Sequence, residues 1–136
     1  YFQDIRLSDI YRGTLAEQMV WQELLCLNQS ELNIPTFWVR EKKQSNAEID
    51  FIFSRKEHLI PVEVKSGKDG TLKSLHQFIE NGGEPLAVRL YDSPFSVVET
   101  RTPAKSGEPG SRYTLLNLPL YAAARIDEYL DWLSSE

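Results

Sequence analysis

The apolar positions near the start of the chain repeat at helical spacing. Over residues 15–27 they form one stripe, which predicts an amphipathic helix. The stripe consists of Leu15, Met19, Val20, Leu24 and Leu27. Thr14 is a favourable N-cap residue and Glu17 follows it three positions later, so the pair predicts a capping box at the start of this helix.

Strand-like runs rich in β-branched and aromatic residues follow the predicted helix. They lie at residues 36–40, 49–53 and 59–65. Only the polar turn 54–58 separates the last two runs, and so short a link predicts an antiparallel hairpin.

The second half of the chain continues the alternation of helix and strand. Leu72, Leu75 and Ile79 give residues 72–80 a helical apolar face, with Thr71 as a candidate cap. Further predictions are strands at 86–91 and 113–118, a short edge strand at 96–100, a mobile loop at 102–111 and a C-terminal helix from Pro119. The order of elements predicts one α+β or α/β domain around a sheet.

The domain is predicted to cover residues 4–136. Tyr1, Phe2 and Gln3 resemble the remnant of a protease-cleavage tag, and we leave them out of the prediction. The chain lacks an initiating methionine, so we expect it to be a fragment of a longer protein. A missing partner domain would then cover part of its apolar surface.

Charge and cysteine content exclude some classes of protein. The 15 Lys and Arg against 20 Asp and Glu give a formal charge of −5, which does not suit a general DNA-coating module. The single cysteine, Cys26, excludes an internal disulfide and fits a reducing, cytoplasmic setting. The longest uncharged run, residues 113–124, is too short for a membrane helix, so no membrane partner is expected.

Positive charge is nevertheless concentrated in one part of the sequence. Residues 40–73 contain eight Lys or Arg against six Asp or Glu. The basic residues singled out are Arg40, Lys42, Lys43, Arg55, Lys56, Lys68 and Lys73. This distribution suits a polyanionic ligand, although a solvated lysine-rich surface would give the same pattern.

The predicted hairpin places two acidic residues face to face. With its turn centred between Lys56 and Glu57, one face is apolar and belongs to the core: Phe51, Phe53, Ile60, Val62 and Val64. Asp50 then lies opposite Glu63 on the other face, together with Lys65, Ile52 and Pro61.

Facing carboxylates repel each other, and a divalent cation such as Mg²⁺ or Mn²⁺ would remove the conflict. Lys65, two residues after Glu63, could orient a water molecule or stabilise a phosphate. These groups are suited to phosphodiester hydrolysis. The alternative is an ordinary strand with a solvated polar face, in which Lys65 pairs with Glu48.

The spacing of these residues carries a family resemblance. Asp50 followed by Glu63, Val64 and Lys65 resembles the motif of the PD-(D/E)xK nuclease superfamily. The longer strings AEIDFIF and LIPVEVKSG, with RGTLAEQ upstream and LKSL and NLPLY downstream, resemble the C-terminal domain of uncharacterised function found on many prokaryotic AAA-type ATPases. The resemblance covers roughly residues 11–123.

The resemblance implies a restriction-endonuclease-like core with the order αβββαβ and a mixed central sheet flanked by helices. By position, it implies that Asp50 and Glu63 are catalytic metal ligands and that Lys65 is the catalytic lysine. It adds the carbonyl of Val64 and the helix acid Glu17 to the metal site.

Two functional hypotheses follow, and a third stays open. The first is a Mg²⁺- or Mn²⁺-dependent nuclease domain that cleaves DNA. The second is a non-catalytic module that keeps the nuclease fold and docks an ATPase to DNA or to a protein. The third is an oligomerisation domain. For each of them, the expected partner is the N-terminal AAA-type ATPase domain of the same chain.

Overall fold

A computed structural model describes residues 2–27, 36–40, 47–66 and 71–135. The first half contains helix α1 (Phe2–Leu27) and strands β1 (Thr36–Arg40), β2 (Ala47–Arg55) and β3 (His58–Val64). The second half contains helix α2 (Lys73–Glu80), strands β4 (Leu86–Tyr91), β5 (Ser96–Arg101) and β6 (Arg112–Pro119), a 3₁₀ helix (Leu120–Arg125) and helix α3 (Ile126–Ser135). The predicted order αβββαβ is confirmed.

The six strands that the structure describes form one mixed sheet in the order β1-β2-β3-β4-β6-β5. The hairpins β1/β2, β2/β3 and β5/β6 are antiparallel, whereas β3/β4 and β4/β6 are parallel. Parallel neighbours need a crossover connection, and α2 supplies the one between β3 and β4. β5 forms one edge of the sheet, as the sequence predicted.

Both faces of the sheet are covered by helices. The first core contains the predicted apolar face of the β2/β3 hairpin, packed with Val20 and Leu24 of α1 and Ile126 and Leu130 at the C-terminal helix. The second core lies on the α2 side and contains Ile49, Ile52, Leu75, Ile79, Ala87, Tyr113 and Leu115. The second face of the hairpin is therefore partly apolar, and Pro61 on it is also buried.

Two predicted helix starts are wrong. α1 begins at Phe2, so Thr14 lies inside the helix and forms no capping box with Glu17. The helix extends upstream because that segment has no proline and because Gly13, its single glycine, costs only about 1 kcal/mol. The N-cap of α2 is Leu72 rather than Thr71, with no side-chain capping bond. Within the described ranges, no helix is both long enough and apolar enough to cross a bilayer.

The connection between β5 and β6 extends their hairpin. The N–H of Thr102 donates to the carbonyl of Ser111 at 2.9 Å, and the N–H of Ser111 donates to Thr102 Oγ1 at 2.9 Å. A Cβ at Gly110 would lie 1.7 Å from the Thr102 carbonyl oxygen, so the turn requires glycine there. The predicted mobility of residues 102–111 stays a prediction.

Candidate functional site

A β-bulge in β2 shapes the region around Asp50. Trp38 of β1 pairs with Ile49, but Thr36 pairs with Ile52, so β2 has one extra residue between these pairs. Strict alternation would place Ile49 on the face of Phe51, whereas the structure buries it in the second core with Ile52. Bulges of this kind redirect side chains and are common beside active sites.

Asp50 lies where the pairing of β2 with β3 ends. The regular pairing of β2 with β3 extends from Arg55 opposite His58, next to the turn, to Phe51 opposite Val62. The next pair, which would be Asp50 with Glu63, is not formed. In place of that pair, Asp50 Oδ2 accepts a hydrogen bond from the backbone N–H of Val64 at 2.7 Å. The carboxylate of Asp50 is thus fixed against the end of β3.

Glu63 is buried at the centre of the site, with 5% of its surface exposed. Its Oε1 forms an ion pair with Lys65 Nζ, whereas its Oε2 is buried and has no hydrogen-bond partner within the described structure. Burial, followed by the charge of Asp50, raises the pKa of Glu63 to about 7, and Lys65 opposes the shift. The alternative pair of Lys65 with Glu48 is wrong, because Lys65 pairs with Glu63.

The pKa values of two further acids rise in the same place. Burial is the main cause for Asp50, with a smaller contribution from Glu48, while the Val64 N–H and Lys65 lower its pKa. Most of Glu17 is exposed, but partial burial of its carboxyl end, followed by the charges of Asp50 and Glu48, raises its pKa. The predicted site acids therefore lie within electrostatic reach of one another.

The arrangement stops short of a closed metal site. Among the residues that the structure describes, no group of three or more His, Cys, Asp or Glu side chains forms a metal-binding cluster. Val64, the expected carbonyl ligand, is the last residue of β3, and its side chain lies in the first core. The structure brings together Asp50, Glu63 and Lys65, with Glu17 close enough to influence their charges.

A row of polar residues that the sequence analysis missed crosses the sheet beside this site. On neighbouring strands, Glu63 pairs with Arg89, Arg89 with Asn117, and Asn117 with Ser96. We call these four residues the polar row. A signal was present, because Arg89 and Asn117 interrupt the apolar runs LAVRLY and YTLLNLP, in which buried parallel strands are usually continuous.

Comparison with known proteins identifies the family. Residues 12–119 match the family described as Domain of unknown function (DUF4143). The chain belongs to this family. The match agrees with the expected uncharacterised domain associated with AAA-type ATPases, but it does not place the DUF4143 domain in the PD-(D/E)xK superfamily. No curated protein matches the chain.

The expected basic surface of this DUF4143 domain is only partly described. Arg55 was expected on a surface for a polyanionic ligand, but it forms ion pairs with two acids of α3. Its Nε lies 2.6 Å from Asp127, and it also pairs with Asp131. Arg55 therefore fastens α3 to the sheet. Lys42, Lys43 and Lys68 lie outside the described residues.

Proposed function

We propose that this domain is a metal-dependent phosphodiesterase that cleaves DNA, attached to an AAA-type ATPase domain of the same chain in the cytoplasm. The observation that carries the proposal is the state of Glu63. Its carboxyl is almost completely buried beside another acid, and one of its oxygens has no hydrogen-bond partner among the described residues. Such an arrangement is unfavourable for folding alone and is typical of a functional site.

The residues of the site fit a hard divalent cation. Carboxylate and carbonyl oxygens are the ligands that Mg²⁺ and Mn²⁺ prefer, and Oε2 of Glu63, which has no hydrogen-bond partner in the described part of the chain, is available as a metal ligand. Asp50 and Glu63 would hold the ion, with the Val64 carbonyl and Glu17 completing the set. A bound ion of this type lowers the pKa of a coordinated water and neutralises charge on a phosphate.

The chain itself supplies positioning and positive charge. Asp50 is oriented by the backbone N–H of Val64, so its carboxylate needs little reorganisation when a ligand arrives. The side chain of Lys65 is about one-third exposed and its Nζ forms an ion pair with Glu63 Oε1, so the side chain lies between the buried acid and the solvent. In the proposed reaction, Lys65 orients the attacking water and stabilises negative charge on the phosphate.

The second candidate is a non-catalytic module that docks the ATPase to DNA or to a protein. The ion pair between Lys65 and Glu63 favours this alternative, because it neutralises the buried carboxylate without a metal. The net charge of −5 also disfavours a general DNA-binding enzyme.

A cleavage assay separates these candidates. Labelled single-stranded and duplex DNA would be incubated in Mg²⁺ or Mn²⁺ with the wild-type protein and with the Lys65→Ala and Lys105→Ala variants. Lys105 is exposed between β5 and β6, lies outside the basic segment 40–73 and serves as the matched lysine control. We expect Lys65→Ala to lower the cleavage rate at least about a hundredfold while Lys105→Ala has no effect. No metal-dependent cleavage by the wild type would reject the nuclease proposal in favour of the docking module.

A further inference from the structure

Arg89 is a half-buried cation beside the candidate site. In the β3/β4 register it lies directly beside Glu63, yet Glu63 forms its ion pair with Lys65 instead. Among the described residues, no carboxylate forms an ion pair with Arg89. The guanidinium of Arg89 is therefore not engaged in an ion pair with a described carboxylate, and it can donate hydrogen bonds to an added anion.

The guanidinium of Arg89 is held in one orientation by its neighbours. Its Nε donates to Asn117 Oδ1 at 2.9 Å, and its central carbon lies 4.0 Å above the ring of Tyr91. Asn117 is 2% exposed and its Nδ2 donates in turn to Ser96 Oγ at 3.1 Å. The polar row therefore orients Arg89 through a buried amide, and neither terminal nitrogen has a hydrogen-bond partner among the described residues.

The location of Arg89 connects it with the candidate site. Arg89 and Glu63 are paired on adjacent strands, which lie about 4.8 Å apart in any sheet. The backbone N–H of Lys65 donates to the Leu90 carbonyl at 2.8 Å, so Lys65 follows β3 alongside the end of β4. Two cations, Lys65 and Arg89, thus lie at the carboxyl ends of neighbouring parallel strands.

We infer that Arg89, preorganised by Asn117 and Tyr91, binds a phosphate group next to the Asp50–Glu63–Lys65 site. The planar guanidinium offers two parallel N–H donors that match phosphate oxygens, which a single ammonium cannot do. The inference rests on the proposed function, in which that phosphate belongs to the nucleic-acid backbone adjoining the cleaved bond. A free phosphate or nucleotide presents the same chemistry, and the test includes it.

Binding is measured apart from cleavage, by fluorescence anisotropy of labelled single-stranded and duplex oligonucleotides in EDTA. All variants are compared at the same pH and over the same range of salt concentrations. The variants are Arg89→Gln and Arg89→Lys, with Arg112→Gln as the matched control. Arg112 is an exposed arginine at the start of β6, and alternation places it on the opposite face from Asn117.

Arg89→Gln is expected to weaken oligonucleotide binding about tenfold and to reduce the slope of log affinity against log salt by about 1. Arg89→Lys should recover the salt slope but only part of the affinity, because the ammonium lacks the bidentate geometry. Arg112→Gln should change affinity less than about twofold. Equal affinities of wild type and Arg89→Gln, or no binding by the wild type, would overturn the inference.

A second measurement needs no variant and distinguishes the source of the phosphate. The ¹⁵N–¹H resonance of Arg89 Nε in the wild-type protein is followed during titration with inorganic phosphate, with ATP and with unlabelled oligonucleotide. A saturable shift with the oligonucleotide at the lowest concentration supports the nucleic-acid backbone. Saturation only by phosphate or ATP would overturn the assignment to the nucleic-acid backbone and indicate a free phosphate or nucleotide ligand. No shift with phosphate, ATP or oligonucleotide would reject the phosphate site.

The two proposals fail in different ways. Metal-dependent cleavage with unchanged binding and KM in Arg89→Gln would overturn the role of Arg89 while the nuclease function stands. Arg89-dependent binding without any cleavage would reject the nuclease and keep the phosphate site in a docking module.

Discussion

The carboxylate of Asp50 accepts a hydrogen bond from the backbone N–H of Val64 at 2.7 Å. This contact replaces a backbone pair at the end of the β2/β3 hairpin, where the bulge in β2 disturbs the regular register. A single side chain thereby has two roles: it completes the backbone hydrogen bonding of β3 and presents a negative charge next to Glu63. The two roles can be separated by substitution.

Asp50→Ala should destabilise the fold by about 1–3 kcal/mol, since it leaves the Val64 N–H without an acceptor. Asp50→Asn keeps an acceptor oxygen and removes a charge from beside Glu63, so it should be neutral or slightly stabilising. Urea denaturation of the metal-free proteins measures the free energy of unfolding of both variants. Asp92→Ala, at an exposed site, is the control and should stay within about 0.5 kcal/mol of wild type. Equal losses for Asp50→Ala and Asp50→Asn would show that the hydrogen bond to Val64 does not stabilise the fold.

Glu63 should make the metal-free protein less stable as pH rises. Its pKa is about 7 in the folded state against 4.5 ordinarily, so the folded protein binds more protons than the unfolded chain between these values. The free energy of unfolding therefore falls from about pH 4.5 to pH 7, by about 1–3 kcal/mol. Deprotonation of Asp50 and of Glu17 also lowers the free energy of unfolding as pH rises, because the pKa values of both acids are raised in the folded state.

Glu63→Gln should flatten this dependence and give a protein more stable than wild type at pH 8. Thermal and urea denaturation between pH 4.5 and 8 provide the measurement. Glu99→Gln, an exposed substitution on β5 that removes the same charge, should keep the wild-type slope. A pH dependence of stability that Glu63→Gln leaves unchanged would contradict the raised pKa of Glu63.

The hydrophobic pattern predicts the strands and the cores well because burial determines both. The faces of the β2/β3 hairpin and the buried residues of α2, Leu75 and Ile79, follow from alternation and helical spacing. The start of α1 could not be predicted in this way. Thr14 has the chemistry of a cap, but nothing in the preceding segment stops the helix.

The sequence predicts which residues form the acidic site, but it does not predict the contacts that these residues make. The spacing of Asp50, Glu63 and Lys65 brings them together, but the bulge depends on pairing between β1 and β2, which alternation within one hairpin does not reveal. Similarly, Arg89 and Asn117 are far apart in sequence, and they meet because β4 and β6 are parallel neighbours. Long-range strand order determines which isolated polar residues form a site.

Mn²⁺ binding should depend on pH in the direction that follows from Glu63. A proton must leave its carboxyl before the metal binds, so affinity should increase as pH rises through about 7, with proton release. Asp50→Asn should weaken binding, whereas Lys65→Ala should retain it, since the lysine competes for Glu63 Oε1. Calorimetric titration in two buffers of different ionisation enthalpy measures affinity and proton release together. No heat of binding at millimolar Mn²⁺ in the wild type would reject a metal site in this domain.

The β5/β6 hairpin should tolerate side chains at one turn glycine and not at the other. At Gly110, a Cβ would lie 1.7 Å from the Thr102 carbonyl oxygen, so Gly110→Ala must displace the backbone. We expect this substitution to lower the free energy of unfolding by about 1–3 kcal/mol. Gly107 has a φ of +83° and open space around its Cβ, so Gly107→Asn should be almost neutral because asparagine tolerates this conformation. Thermal denaturation compares the two variants.

Gly110→Ala should also change the environment of the polar row. We expect the bonds between Thr102 and Ser111 to set the register of β5 and β6, which pairs Ser96 with Asn117 at the other end of the hairpin. Gly110→Ala is therefore expected to broaden or shift the Asn117 side-chain amide resonance, while Gly107→Asn leaves it unchanged. If Gly110→Ala lowers stability but leaves that resonance in place, the register of β5 and β6 is set along the strands themselves. The support of Arg89 by Asn117 would then be independent of the turn.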